Sequence, residues 1–126
     1  MAALVFDAGG LIALDRGDRA VGALLAVAAR DGHEAIISSA CVAQVWRDPA
    51  RQARLTRALE GIMEWPLDDT AARRCGLLLA ESGTSDIADA ALTLLVRSGD
   101  TVLTSDPEDL ARLLAASDVD ARVRPV

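Results

Sequence analysis

With 126 residues the chain is long enough to bury one core, and it is expected to form a single domain over residues 1–126. All 13 basic residues are arginine, which excludes every mechanism that needs a lysine: a Schiff base, a phosphate-loop lysine, the lysine of a phospho-receiver site. A net charge of −6 argues against non-specific binding to duplex DNA, which draws on excess positive charge, but leaves room for a nuclease whose acids hold a cation.

The chain opens on Leu4-Val5-Phe6, an apolar run without alternation, which predicts a strand buried on both faces. Asp7 follows as the first residue out of the sheet. Ligands of open α/β folds gather beyond the carboxyl ends of strands, so Asp7 either enters such a crevice or only caps a short helix starting near Ala8. Asp18 can cap the next helix, which carries Val21, Leu24, Leu25, Val27 and Ala28 and ends at Asp31-Gly32. Ala35 to Ser38 is a second short buried strand, and Ser38 or Ser39 opens a helix through Cys41, Val42, Val45 and Trp46, with Gln44 in its second turn. Asp48 and Pro49 predict the cap and first position of a further helix to about Glu60, with Arg51, Arg54 and Arg57 sharing a face.

Ile62 to Leu67 reads as a weak strand broken by Pro66, suited to an edge. Asp68-Asp69 caps a long helix to Ser82-Gly83, and Thr84-Ser85-Asp86 starts another with Ile87, Ala90, Ala91, Leu94 and Leu95 inward, closed by Ser98-Gly99-Asp100. Thr101 to Thr104 is a buried strand, a last helix reaches Ala116, and residues 121–126 alternate as an edge strand. Strands alternating with helices predict a parallel sheet in a three-layer α/β/α arrangement.

Cys41 and Cys75 sit in apolar helical patterns and read as small buried residues of a reducing compartment. The single histidine, His33, lies in a turn and is expected to face solvent, so a zinc site lacks ligands. No apolar run approaches the ~18 residues of a membrane span and no basic leader opens the chain, which points to the cytoplasm.

Two strands each deliver an acid at their carboxyl end, Asp7 and Asp106, and these face one crevice if the strands are neighbours. Asp86 and Asp89 add a pair on one face of a helix's first turn. Each has a plainer role available: Asp86 as a cap or dipole partner, Asp106 as the cap before Pro107 with Asp109 completing it. Their joint placement is what matters. Several carboxylates with no lysine or histidine nearby repel one another unless a divalent cation sits among them, and hard oxygen donors suit Mg²⁺ or Mn²⁺. Such a cluster can activate water and stabilise the leaving oxygen in phosphodiester cleavage.

Four segments, Leu4-Val5-Phe6-Asp7, Val42 to Arg47, Asp86 to Leu92 and Val102 to Asp106, make the sequence resemble a PIN domain, in particular the VapC-type ribonuclease toxins of toxin–antitoxin pairs. The resemblance covers the whole chain. It implies a PIN-like parallel sheet, a homodimer, and an antitoxin whose tail fills the active-site groove. It also implies that Asp7, Asp89 and Asp106 are acidic metal-site residues, with Thr104 supporting through its hydroxyl and Asp86 or Asp109 accessory. In one departure Gln44 stands where the family usually has a glutamate, which weakens the charge available to a metal; Asp86 would restore it if its side chain turned inward.

The sequence is therefore expected to encode an Mg²⁺- or Mn²⁺-dependent endoribonuclease, the toxin of a two-component module, with Arg47, Arg51 and Arg54 contacting RNA or the antitoxin. The rival is a PIN-like module that has lost catalysis through Gln44 and serves as an RNA-binding or protein-interaction domain. An aspartyl-phosphate phosphotransferase ranks below both, because Gly9 stands where a second acid is needed and the lysine is missing.

Overall fold

The computed structural model describes residues 2–126. Five strands, β1 (Leu4–Phe6), β2 (Ala35–Ser38), β3 (Met63–Trp65), β4 (Thr101–Thr104) and β5 (Arg122–Pro125), form one sheet in the order β3-β2-β1-β4-β5, with every pair parallel. Successive strand residues point to opposite faces, and Val5, Phe6, Ile37, Val102 and Leu103 are all fully buried. Both faces of the central strands are therefore covered by helices, which is why these segments are apolar without alternation. The edges were legible in the same way: β3 ends at Pro66 and β5 contains Pro125, a residue that cannot donate to a ladder.

The connections are helical: α1 (Ala8–Asp15) and α2 (Arg19–Arg30), α3 (Ser39–Val45) and α4 (Ala53–Leu59), α5 (Asp69–Ser82) and α6 (Ile87–Thr93), then α7 (Pro107–Ala116). Aspartate caps dominate. Asp18 accepts from Val21 N and Asp68 from Ala71 N, as their positions ahead of the helical patterns predicted. The chain steps outward from β1 through β2 to β3 and then returns to lay β4 on the other side of β1. The strand order reverses between β1 and β4, and the crevice beyond their carboxyl ends is the place where this class of sheet binds ligands.

Several expectations need correction. The helix expected from Pro49 starts at Ala53, because Asp48 Oδ1 accepts from Ala50 N and Gln52 Oε1 accepts from Arg47 N and Asp48 N, folding residues 48–52 into a turn. Arg51 lies in that turn, off the helical face shared by Arg54 and Arg57. Helix α6 stops at Thr93: Leu95 N and Val96 N reach back to Leu92 O and Thr93 O, tightening the last turn. Ile87, expected inward, is 57 % exposed, since it is the first residue of a helix whose other six residues are all buried. His33, expected to face solvent, is half-buried, and its Nδ1–H donates to Ala2 O at 2.9 Å. Both cysteines are free and buried. Among the described residues no helix is long and apolar enough to cross a membrane.

Candidate active site

Asp7 is buried and takes the capping reading of its position. It caps α1, Oδ1 accepting from Gly10 N at 2.8 Å, while Oδ2 accepts from Ser105 N at 3.0 Å on the loop that follows β4. A buried carboxylate at the switch point thus ties the two central strand ends together. The loop lies so close that a Cβ added to Gly9 would sit 2.5 Å from Ser105 Oγ, which explains a glycine there. Sequence reasoning passed over Ser105; its place between Thr104 and Asp106 was the available signal.

On the β4 side, Thr104 Oγ1 accepts from Asp106 N at 2.9 Å, which fixes the turn into α7. Asp106 caps α7, accepting from Asp109 N at 3.4 Å, with Pro107 in the first turn as the sequence predicted. From the other side α6 brings Asp89 in its first turn, and Asp86 caps that helix through Oδ1, which accepts from Asp89 N at 3.0 Å. Carboxylate oxygens of Asp89, Asp106 and Asp109 all lie within 4.8 Å of one another. Asp109, read from the sequence as accessory, completes this group. Asp7 and Asp86 stand outside it as the caps of α1 and α6.

The electrostatics of Asp89 are the site's most informative feature. Asp89 is 7 % exposed, and among the described residues no donor bonds to its carboxylate. Burial first, then the charges of Asp86, Asp7, Asp106 and Asp109, push its carboxyl up to about 7. Cys41, whose Sγ donates to Ala88 O, feels the same surroundings: burial, then Asp7, Asp89 and Asp86, push its thiol far above the usual range. Cys41 stays a neutral thiol and has no nucleophilic role. The cationic partner nearest the acids is Arg112, Nη1 of which is 3.9 Å from Asp109 Oδ1 at the solvent side. An all-oxygen donor set, crowded enough to hold one member partly protonated at neutral pH, fits Mg²⁺ or Mn²⁺ and offers no soft ligand.

The remaining candidates lie around this centre. Gln44 is exposed on α3 and makes no side-chain hydrogen bond among the described residues. Arg47 folds back on its own helix, Nη1 donating to Ala43 O and Trp46 O, and so satisfies the end of α3. Arg51 sits 3.7 Å from Asp48. Arg54 packs over Gly17, which has a φ of +76°, its Nη1 3.1 Å from where a Cβ would stand. Gly17 belongs to the wall of a cavity of about 500 Å³ that Gly9, Arg16, Ser105 and Val126 also line, on the side of Gly9 and Ser105 away from the grouped acids.

The sequence matches no family model and no curated protein. Among solved structures the chain is similar to one in the crystal structure of VapBC2 from Rickettsia felis bound to a DNA fragment from their promoter, with a TM-score of 0.70, 12 % identity, and coverage of 97 % of this chain and 98 % of that one. At that identity the likeness is one of fold, and it agrees with the five-stranded parallel sheet in giving this chain the PIN-like architecture that its four sequence segments imply.

Proposed function

We propose that the chain is a single PIN domain, residues 1–126, acting as a metal-dependent endoribonuclease. The observation that carries this reading is the Asp89, Asp106 and Asp109 group, whose buried member has no hydrogen-bond donor and is pushed up to about 7 by burial and four neighbouring acids. Such a group is unfavourable for the fold unless something positive completes it.

Asp89, Asp106 and Asp109 would hold Mg²⁺ or Mn²⁺, with Asp7 and Asp86 adding negative charge behind them. When bound, the cation supplies positive charge to the phosphoryl oxygens and lowers the pKa of a water molecule for in-line attack. The chain's own residues do the positioning. Asp7 holds the β4–α7 loop through Ser105 N, and Thr104 holds Asp106 through its backbone N–H. Without a cation Asp89 keeps a proton for part of the time at neutral pH, so cation binding displaces that proton and tightens as pH rises. Arg16 and Arg54, gathered around Gly17, would hold the RNA backbone beyond the aspartates.

By likeness to the VapBC2 structure we assign the chain the toxin's place in a toxin–antitoxin pair, with a cognate antitoxin as partner; the homodimeric state and cytoplasmic setting rest on the sequence reading alone. A second reading has its own observation: Gln44 is uncharged and exposed where the resemblance leads one to expect a glutamate, which suits an RNA-binding or protein-interaction module without catalysis. Cleavage of a mixed single-stranded RNA pool by the purified, antitoxin-free protein separates the two, with Mn²⁺ or chelator and with Asp89→Asn and Gln44→Glu beside the native chain. Metal-dependent cutting lost in Asp89→Asn supports the nuclease; no cutting by the native chain, but activity gained in Gln44→Glu, supports the binding module.

A further inference from the structure

The chain has two tryptophans and one phenylalanine; the phenylalanine is fully buried, yet Trp46 and Trp65 are 37 % and 45 % exposed. Large aromatic side chains gain most from burial, so an exposed indole in so aromatic-poor a chain calls for a contact. Trp65 ends β3, the edge strand, in register with Ser38 at the end of β2, and all three β3 residues are exposed. Between Trp65 and the end of α6 runs a groove in two parts, of about 370 and 210 Å³, both bounded by Trp65, Leu94 and Leu95.

Arginines flank both parts: Arg74 of α5 lines the wider one and Arg97 the narrower. Among the described residues neither guanidinium has a carboxylate within ion-pair distance. The acids nearby are mostly engaged, Asp68 accepting from Ala71 N and Asp100 from Ala3 N and Arg97 N. Glu34 and Asp100 both bound the narrower part, at the amino end of the sheet, and Asp68 alone of the acids bounds the wider, so the wider part beside Arg74 is the more favourable for an anion. Position completes the case. Trp65 and Asp7 both stand at the carboxyl edge of the sheet, two strands apart, or roughly 10 Å at the usual spacing of about 4.8 Å.

We infer that Trp65 is a base-stacking platform for a nucleotide of single-stranded RNA next to the one held at the aspartates, with Arg74 gripping the adjoining phosphate. An indole face accepts any base, and a guanidinium group suits phosphate oxygens, so the subsite adds affinity with little sequence preference. The inference rests on the ribonuclease reading for the presence of the strand, but its test does not depend on cutting.

In Trp46→Phe, Trp65 is the sole indole. With chelator present to prevent cleavage, a short mixed-sequence oligoribonucleotide should quench its emission saturably, whereas an abasic ribose-phosphate oligomer of equal length should not. Trp65→Ala should weaken binding of the labelled oligoribonucleotide roughly tenfold, the size expected for one lost stacked base, and Trp65→Phe should restore most of it. With Mn²⁺, Trp65→Ala should raise KM by a similar factor and leave kcat unchanged. Cleavage without any response of Trp65 overturns the platform and spares the nuclease. Emission that follows protein concentration, and not RNA, also overturns it, because a second copy then covers the groove. Quenching by RNA with no cleavage under any divalent cation supports the platform and defeats the nuclease.

Discussion

Two buried aspartates at opposite ends of the sheet have been treated very differently by the fold. Asp100, at the amino end of β4, is 3 % exposed and accepts from Ala3 N at 2.7 Å and Arg97 N at 2.8 Å, one for each carboxylate oxygen. Asp89 is buried to a similar degree, but among the described residues no donor meets its carboxylate, and four other acids surround it. A buried charge supplied with donors fastens the chain; one facing other carboxylates costs stability and is kept for what it can bind. Asp7 combines the two, with both oxygens accepting backbone N–H groups while its charge still acts on Asp89.

Exchanging each acid for its amide should separate them most sharply. Asp89→Asn is expected to lower metal-dependent RNA cleavage by at least ~10²-fold, the loss of several kcal/mol of cation-centred stabilisation. The same variant should melt no lower than the native chain at pH 7.5 without metal, because it removes a disfavoured charge. Asp100→Asn should do the reverse. An amide nitrogen cannot accept from Ala3 N or Arg97 N, so urea unfolding should show a loss of about 1–3 kcal/mol, with cleavage per folded molecule unchanged. Cleavage and unfolding measured on both variants decide it; a large stability loss in Asp89→Asn would make that residue structural too.

Gly9 tests whether Asp7 acts through the loop it holds. A methyl group at Gly9 must displace Ser105, whose N–H bonds Asp7 Oδ2, so Gly9→Ala should cost about 1–3 kcal/mol of stability, as other forced contacts in packed sites do. Its kcat should fall roughly tenfold through misplacement of the aspartates. Adding Ser105→Gly removes the side chain the methyl group meets and should recover most of both losses. No recovery would show that the two positions are not coupled.

Acidity gives a smaller, graded effect. An unfolded aspartate titrates near 3.9, and Asp89 in the folded chain near 7. Between those values the folded state binds more protons, so the contribution of Asp89 to stability is fully present below about pH 4 and is lost as pH rises through about 7. Melting temperatures followed from pH 4 to 8 in chelator should therefore fall more steeply for the native chain than for Asp89→Asn. Mn²⁺ at pH 7.5 should offset the fall in the native chain only. Parallel curves for the two chains would reject the raised pKa of Asp89.

Much of this was legible in the residues. The unalternated runs at Leu4–Phe6 and Thr101–Thr104 gave the central strands, and Asp18, Asp68, Asp86 and Asp106 ahead of helical patterns gave the caps. That Asp7, Asp89 and Asp106 share one neighbourhood was readable because strand ends and first turns place acids predictably. The place of Asp109 beside Asp89 was not, because its spacing from Asp106 is equally that of a simple cap, and only the approach of α6 shows what else it faces. Ser105 was passed over because its contacts are through its backbone and a glycine on another element. The start of α4 was misjudged because Asp48-Pro49 is a sound helix signal that a nearby side chain overrode: Gln52 bridges back to Arg47 N, Asp48 N and Val45 O.

That override carries the smallest expected effect. The sequence put Arg51 and Arg54 on one stripe, but the turn leaves Arg51 89 % exposed beside Asp48 while Arg54 packs over Gly17 at the wall of a cavity that Gly9 and Ser105 also line. An exposed pair such as Arg51–Asp48 contributes roughly 0–1 kcal/mol, and nothing joins it to the acids. Arg54→Ala should therefore raise KM for RNA about two- to fivefold with kcat unchanged, the loss of one charge-assisted contact shared by ground and transition states. Arg51→Ala should leave both constants where they were. Equal losses in the two variants would restore the continuous stripe and move the RNA from the crevice onto the outer face of α4.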